Sequence, residues 1–348
     1  MKDKIVSVTK YLITLVIAIA MFAYALKDYS LSSLWNDIKH VDVKWLLLSC
    51  IISIASHWAR AYRWNLLLKP LGYPQLSSFR TFLAVMSGYI ANLAIPRMGE
   101  VTRCGILKKT DNVSMSTGIG SVVTERLIDL FTLLGLLGAT FLLEYNILSG
   151  FTIDFLSKKF EKYENLVPIA VGLGAIFVVL LALAIFAYFR YRSHLEKNAF
   201  YLKGKNLLMQ ASDGLLSLRK VEHPWKFWLS TIVIWALYYL MSYVIFWSIP
   251  ETSDLTWRAG LAILVFGGMA MAAPAPGGIG TYHIMVSTIL LLYGIGEKTG
   301  ILYATVVHAT QTIMILLIGG ISLMASAIIS KQKNSKEIEN DELQRIHK

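Results

Sequence analysis

The sequence predicts an all-α membrane protein: a polytopic transmembrane helical bundle of about six full spans plus two re-entrant half-helix hairpins of opposite orientation. Composition carries the first part of this prediction, since the mean hydropathy is +0.56 and 55% of the residues are hydrophobic. The apolar residues also form long blocks, several of which reach the roughly 20 residues needed to cross about 30 Å of hydrocarbon. These values are too high for an ordinary soluble domain, so a soluble enzyme is excluded.

Six apolar blocks are interpreted as full spans, and they cover residues 11–26, 45–68, 113–143, 166–189, 227–249 and 301–329. The first block has an alternative interpretation as a signal peptide, because Ala23-Tyr24-Ala25 resembles a cleavage site; we favour an uncleaved helix. A short interfacial helix is predicted within residues 30–44. Residues 1–330 would form one integral membrane domain, followed by a polar, disordered cytoplasmic tail at residues 331–348.

Two further apolar segments are interrupted. Residues 81–95 are too short to span comfortably and end at Pro96, and residues 259–293 are broken by the run Pro274-Ala275-Pro276-Gly277-Gly278-Ile279-Gly280. The positive-inside rule places the amino terminus, residues 69–80, the basic loop 190–226 and the tail in the cytoplasm. Each interrupted segment must then enter and leave on one side, the first from the cytoplasm and the second from outside. Such paired breaks indicate the substrate site in transporters.

The formal net charge of +11 follows from this topology. The lysines and arginines lie in short segments between the apolar blocks, and no basic helix stands apart from them, so we expect no nucleic-acid partner. The two cysteines, Cys50 and Cys104, provide neither a disulfide framework nor metal-ligand spacing. We therefore expect no metal and no cofactor.

Polar residues cluster at both breaks. Arg97 and Arg103 flank Glu100 just after Pro96, and two arginines beside a helix terminus can bind a lipid phosphate. The alternative is a basic loop that only lies against anionic lipid. In the second break, the freed backbone groups of the glycines could contact a headgroup, or the break could simply let helices pack closely.

Glu125, Arg126 and Asp129 lie well inside the predicted span 113–143. Three charges at the bilayer centre would cost roughly 8 kcal/mol, so they need partners. Glu125 and Asp129 share a helix face, Arg126 can reach Asp129, and Arg60 and Arg63 offer opposite charge. A structural ion-pair cluster and a substrate-binding role are equal alternatives here.

Three motifs occur in a fixed order: Asn92-x-x-x-Pro96-Arg97-x-Gly99-Glu100-x-x-Arg103, Glu125-Arg126-x-x-Asp129 and Pro276-Gly277-Gly278-Ile279-Gly280. Together they resemble the flippase-like family related to the transmembrane region of lysylphosphatidylglycerol synthases, over about residues 10–329. The resemblance implies lipid handling without the aminoacyltransferase domain of bifunctional relatives. We expect the substrate-binding residues to be Asn92, Arg97, Glu100, Arg103, Glu125, Arg126, Asp129, Gly277, Gly278 and Gly280.

The chain departs from the family at one point. Many relatives carry a carboxylate shortly after the glycine run, where this chain has Tyr282-His283, and this widens the range of possible headgroups beyond cationic aminoacyl groups. His283, like His308 in the last span, is interpreted as a hydrogen-bonded packing residue.

The predicted function is a lipid transporter, or flippase, that translocates a phosphate-bearing (glyco)lipid or an aminoacylated phospholipid across a bacterial plasma membrane, with both termini cytoplasmic. Its partners would be anionic phospholipid or polyprenyl-phosphate lipid. A homo-oligomer or a complex with an envelope enzyme is also open. One alternative function is a non-transporting accessory subunit of an envelope lipid or glycan enzyme. A membrane-embedded transferase is the less favoured alternative, because the sequence contains no HExxH, GxSxG, Walker or Cys/His motif. We therefore expect no enzymatic activity.

Overall fold

The computed structural model describes residues 30–148, 221–273 and 275–346, together with residues 16, 19, 22–24 and 26. Within these ranges the chain is helical and has no strand, so the predicted all-α class is confirmed. The predicted span 166–189, most of the span 11–26 and nearly all of the basic loop 190–226 lie outside the described residues.

In the described part of the chain the α-helices follow one another as α1 Leu31–Ile38, α2 Val43–Leu68, α3 Ser78–Ala94, α4 Met98–Asp111, α5 Met115–Leu143, α6 Pro224–Tyr243, α7 Trp257–Met271, α8 Thr281–Leu292 and α9 Glu297–Ile346. Short 3₁₀ turns lie at Lys69–Leu71, Val244–Ser248, Pro250–Thr252 and Pro276–Gly278. Serine side chains begin several of the helices: those of Ser30, Ser77 and Ser114 accept a backbone N–H at the starts of α1, α3 and α5.

Three described helices are long and apolar enough to cross a membrane: Met115–Leu143, Pro224–Ser248 and Glu297–Lys333. They correspond to the predicted spans 113–143, 227–249 and 301–329. Helix α2 has 26 residues, about 39 Å at 1.5 Å per residue, but its buried arginines make it less apolar. The total number of spans therefore stays a prediction.

Helices α3 and α4 form a tight hairpin, which we call the first hairpin. Helix α3 ends at Ala94 because Ile95, the residue before Pro96, takes an extended conformation with φ −136°. The chain turns at Arg97, whose φ of 65° is left-handed and uncommon for a residue other than glycine. The two helices approach so closely that a Cβ on Gly88 would lie 2.7 Å from the carbonyl oxygen of Gly99.

Helices α7 and α8 form the second hairpin, and α9 lies beside both hairpins. Along α9, Gly300 packs against Ser287 in the middle of α8, His308 bonds the tip of the second hairpin, and Gly319 packs against Met86 and Ile90 of α3. The two hairpins therefore lie end to end along α9 and point towards each other. Their depth in a membrane stays a prediction.

The two hairpin tips touch. A guanidinium nitrogen of Arg97 donates to the carbonyl oxygen of Ala272 at 3.4 Å, and Leu93 lies against Gly277. This contact joins the two interrupted segments that the sequence singled out, although they are about 180 residues apart in the chain.

One expectation about the carboxyl terminus is wrong. Helix α9 continues to Ile346, whereas residues 331–348 were expected to be disordered. No glycine or proline follows Gly320, and the segment is rich in Lys, Gln and Glu, which are strong helix formers.

Candidate functional site

The ionic cluster, as we name it, consists of charged side chains on α2, α4 and α5. Arg60 and Arg63 are one turn apart on α2 and face Glu125 and Asp129, which are one turn apart on α5. Arg60 lies 2.6 Å from Glu125, and Arg63 lies 2.6 Å from Asp129. Each arginine also contacts the other carboxylate, Arg60 at 3.4 Å from Asp129 and Arg63 at 3.7 Å from Glu125.

Helix α4 adds two crossed ion pairs to the cluster. Arg103 lies 3.1 Å from Glu125, and Glu100 lies 2.8 Å from Arg126. Glu100 and Arg103 are one turn apart, as expected, but each pairs with α5 rather than with the other. Arg126 pairs with Glu100 and not with Asp129, which corrects the expectation from the sequence.

The charges of the cluster do not cancel. Among the described residues, Arg60, Arg63, Arg103 and Arg126 give +4, while Glu100, Glu125 and Asp129 give −3, which leaves +1. The side chains of Glu125 and Arg63 are fully buried, so this excess charge is poorly screened by solvent.

Arg60 is the most completely satisfied arginine of the cluster. Besides its carboxylate contacts, one of its nitrogens donates to the hydroxyls of Tyr89 at 3.0 Å and Tyr238 at 3.1 Å. Reasoning from the sequence missed both tyrosines. Tyr89 lies one turn before Asn92 on α3, which could have indicated it; no comparable signal indicates Tyr238.

Arg103 is the least satisfied. It is 3% exposed, and its guanidinium stacks on Trp64 at 4.5 Å from the ring centroid. Nε and one terminal nitrogen have no hydrogen-bond partner among the residues that the structure describes, and the same is true of Oε2 of Glu100. The structure places Arg103 inside α4 rather than at a helix terminus, where the sequence suggested that it would bind phosphate.

Arg103 and Glu100 both line a small cavity of about 10 Å³, which we call the arginine cavity. Its lining includes four of the expected site residues, Asn92, Glu100, Arg103 and Arg126, together with Arg60, Val85, Gly88, Tyr89 and Gly99. Glu125 and Asp129 stand behind this lining, where they hold the arginines. The Glu100–Arg126 pair is a partly exposed part of this lining, with side chains that are 28% and 45% exposed.

The remaining residues of the first motif shape the hairpin. The side chain of Asn92 accepts the backbone N–H of Gly99 at 2.6 Å, which caps α4. Gly99 lies inside α4 and permits the close approach to α3, whereas Arg97 makes the turn. Arg97 is exposed at the tip contact and does not line the arginine cavity.

Gly277, Gly278 and Gly280 form the tip of the second hairpin and also do not line the arginine cavity. All three have left-handed φ values, 59°, 74° and 82°, that glycine adopts without strain. A side chain on Gly278 would overlap the sulfur of Met271.

Histidines stabilise this tip, as the sequence suggested. His308 donates from Nε2 to the carbonyl oxygen of Gly277 at 2.7 Å, and Nδ1 of His283 accepts the N–H of Gly280 at 3.4 Å. The Gly278 carbonyl accepts the hydroxyl of Thr281 at 3.1 Å. The backbone groups that the helix break frees are thus largely bonded within the protein.

Comparison with known proteins assigns the family. The family model described as the lysylphosphatidylglycerol synthase TM region matches residues 11–319. Glycosyltransferase AglD of Haloferax volcanii is 21% identical over 93% of this chain and 55% of its own length. In Methanocaldococcus jannaschii, the UPF0104 membrane protein MJ1078 is 26% identical over 71% of this chain and 99% of its own length. A second, MJ1595, is 28% identical over 42% of this chain and 44% of its own length.

The chain therefore spans about half the length of two of these relatives. No solved structure matches. The match of the family model over most of the chain, together with the helices that can cross a membrane, shows that this is a membrane protein of the lysylphosphatidylglycerol synthase TM-region family.

Proposed function

We propose that the chain binds the phosphate of a membrane lipid in the arginine cavity and carries that lipid across the membrane. One observation carries the proposal: Arg103, buried and with two unpartnered nitrogens, lines a cavity in a cluster whose described charges sum to +1. Buried arginine nitrogens require acceptors, and a phosphate oxygen supplies them in a forked, charge-assisted geometry. A singly charged phosphodiester would also neutralise the cluster.

The cavity is too small for a phosphate in the closed arrangement. Binding requires the half-exposed Arg126 to separate from Glu100 while staying at the cavity wall, which costs little because exposed ion pairs contribute only about 0–1 kcal/mol. Arg60 and Arg63 are held by several carboxylate and hydroxyl contacts each and stay in place. In the proposed site Arg60 and Arg63 would thus stay fixed, and the Glu100–Arg126 pair would open to admit the phosphate.

The hairpin tips support the transport part of the proposal. Interrupted helices that meet end to end form the substrate site in transporters, and rocking of one half against the other exposes that site to each side in turn. Here the tip contacts include a 3.4 Å hydrogen bond from Arg97 and the packing of Leu93 on Gly277. On this proposal, these contacts separate during transport while each hairpin stays folded.

The test is lipid translocation in proteoliposomes that contain the purified chain and a panel of fluorescent phospholipids and polyprenyl-phosphate lipids. We expect Arg103→Ala to abolish movement and Arg103→Lys to retain part of it, because lysine keeps the charge but loses the planar fork. Arg80→Ala is the matched control, because Arg80 pairs with Asp111 at 3.8 Å in a partly exposed contact away from the cavity. Equal movement in Arg103→Ala and Arg80→Ala would contradict the proposal.

A second candidate, a membrane-embedded transferase, is favoured by the printed name of one relative, Glycosyltransferase AglD, which matches 93% of this chain. The same vesicles distinguish the two candidates when they are loaded with a labelled polyprenyl-phosphate sugar and the lipids are extracted for mass spectrometry. Unchanged lipid in the opposite leaflet supports transport, and a new covalent product supports a transferase. Neither movement nor product, with the protein folded, would favour an accessory subunit in the plasma membrane.

A further inference from the structure

We infer that the lipid headgroup carries a neutral hydrogen-bond donor, a hydroxyl, beside its phosphate, and that Glu100 recognises this donor. The inference rests on the proposed function and narrows its substrate to hydroxylated phosphodiesters with one negative charge, such as glycerol- or sugar-bearing headgroups.

Two residues that line the arginine cavity have unpartnered polar atoms, and these atoms are of two kinds. Nε and a terminal nitrogen of Arg103 are donors and require an acceptor, whereas Oε2 of Glu100 is an acceptor and requires a donor. Both residues line the same cavity, one helical turn apart on α4. A bare phosphate diester offers only acceptors, so it satisfies Arg103 and leaves the buried Glu100 oxygen without a partner. A headgroup that presents a phosphate and a donor together satisfies both.

The charge of the cluster decides which donor fits. The charge count for the described residues is +1, and one phosphodiester brings the occupied site to zero. An ammonium donor would return the occupied site to +1 beside the guanidinium groups of Arg103 and Arg126, where it is repelled. A hydroxyl donates equally well and adds no charge.

The second hairpin is consistent with a neutral donor. His283, which follows the glycine run, is buried and bonded to the backbone of Gly280. Among the residues that the structure describes on the second hairpin, from Trp257 to Leu292, the sequence contains no Asp or Glu. A cationic headgroup would find no counter-charge there.

The experiment compares three lipids with identical acyl chains in proteoliposomes of the wild-type chain. Phosphatidylglycerol has a single negative charge and hydroxyl donors, phosphatidylethanol has the same charge and no donor, and phosphatidylethanolamine has an ammonium donor and no net charge. We expect phosphatidylglycerol to move about tenfold faster than either of the others, which corresponds to about 1.4 kcal/mol. This is at the lower end for a hydrogen bond to a charged group.

The charge-matched double variant Glu100→Ala with Arg126→Ala assigns the recognition to Glu100, because it removes the acceptor without changing the net charge of the cluster. We expect its preference for phosphatidylglycerol over phosphatidylethanol to fall towards one. A double variant that keeps the full preference would overturn the role of Glu100.

The wild-type comparison stands independently of how the variant folds. Equal rates for phosphatidylglycerol and phosphatidylethanol would overturn the claim that the headgroup must carry a hydrogen-bond donor. If phosphatidylethanolamine moves as fast as phosphatidylglycerol, the claim that this donor is neutral is overturned. Uptake of labelled glycerol phosphate would show that the ligand is a free phosphate ester and not a lipid. By contrast, rates no higher than in protein-free vesicles for every lipid would contradict the proposed function itself.

Discussion

Neutralising Glu125 tests the ionic cluster most directly. Its carboxylate is fully buried and lies 2.6 Å from Arg60, 3.1 Å from Arg103 and 3.7 Å from Arg63. In Glu125→Gln the volume stays nearly constant, one oxygen remains as an acceptor, and the charge of the described cluster rises from +1 to +2. Removal of one partner from a buried ion pair costs about 3–5 kcal/mol.

This loss should appear as a lower apparent melting temperature in detergent. One kcal/mol shifts the melting temperature of a large domain by roughly 2–4 °C, so we expect a decrease of at least about 6 °C. Asp111→Asn is the matched control, because Asp111 is the carboxylate of a partly exposed pair with Arg80 at 3.8 Å, and such pairs contribute about 0–1 kcal/mol. The double variant Glu125→Gln with Arg103→Gln restores the net charge and should recover part of the loss. If Glu125→Gln melts within 1 °C of Asp111→Asn, the cluster does not depend on Glu125 as a buried counter-ion and our reasoning is refuted.

Three further outcomes are expected. Gly99→Ala should push the two helices of the first hairpin apart and reduce both stability and lipid movement, because an added Cβ overlaps α3. Gly105→Ala, on the same helix with open space around it, should be neutral or slightly stabilising, and equal melting temperatures for the two variants would contradict this prediction. Gly278→Ala should destabilise the second hairpin by at least about 1–2 kcal/mol, measured by the same melting assay, because its φ is 74°. In a chain without its native cysteines, Ser77→Cys and Asn112→Cys, at the two ends of the first hairpin, should react with an impermeant maleimide from the same side of the membrane, and labelling from opposite sides would exclude a re-entrant hairpin.

The helices could be predicted from the sequence because their signals are local. The long apolar block at 113–143 corresponds to α5, Met115–Leu143, and the interruption at Pro96 corresponds to the end of α3 at Ala94. Hydrophobic length and proline act within a few residues, so a tertiary contact seldom overrides them. The contact between the two tips was also indicated, since opposed interrupted segments need each other to bury their free backbone groups.

The pairing within the site could not be predicted, because it depends on how the helices are rotated about their axes. Sequence spacing predicted an ion pair between Arg126 and Asp129, three residues apart on the same helix. In the structure Asp129 pairs with Arg63 of α2, and Arg126 pairs with Glu100 of α4. Likewise, the turn of the first hairpin lies at Arg97 in a left-handed conformation, while Gly99 lies where the two helices approach closely. Neighbouring helices determine such positions, so local rules do not predict them.

The two roles that the sequence left open for the buried charges belong, on our proposal, to different residues of one cluster. Glu125 and Asp129 are occupied by arginines from two other elements and fit a structural role, whereas Arg103 and Glu100 keep unpartnered atoms that a ligand would satisfy. Unpartnered buried polar atoms destabilise the protein without ligand, so a ligand that satisfies them should stabilise the fold as well as occupy the site. Binding and stability are then linked through Arg103. A lipid that raises the melting temperature of the wild-type chain but not of Arg103→Ala would identify itself as the ligand of this cavity, independently of any transport assay.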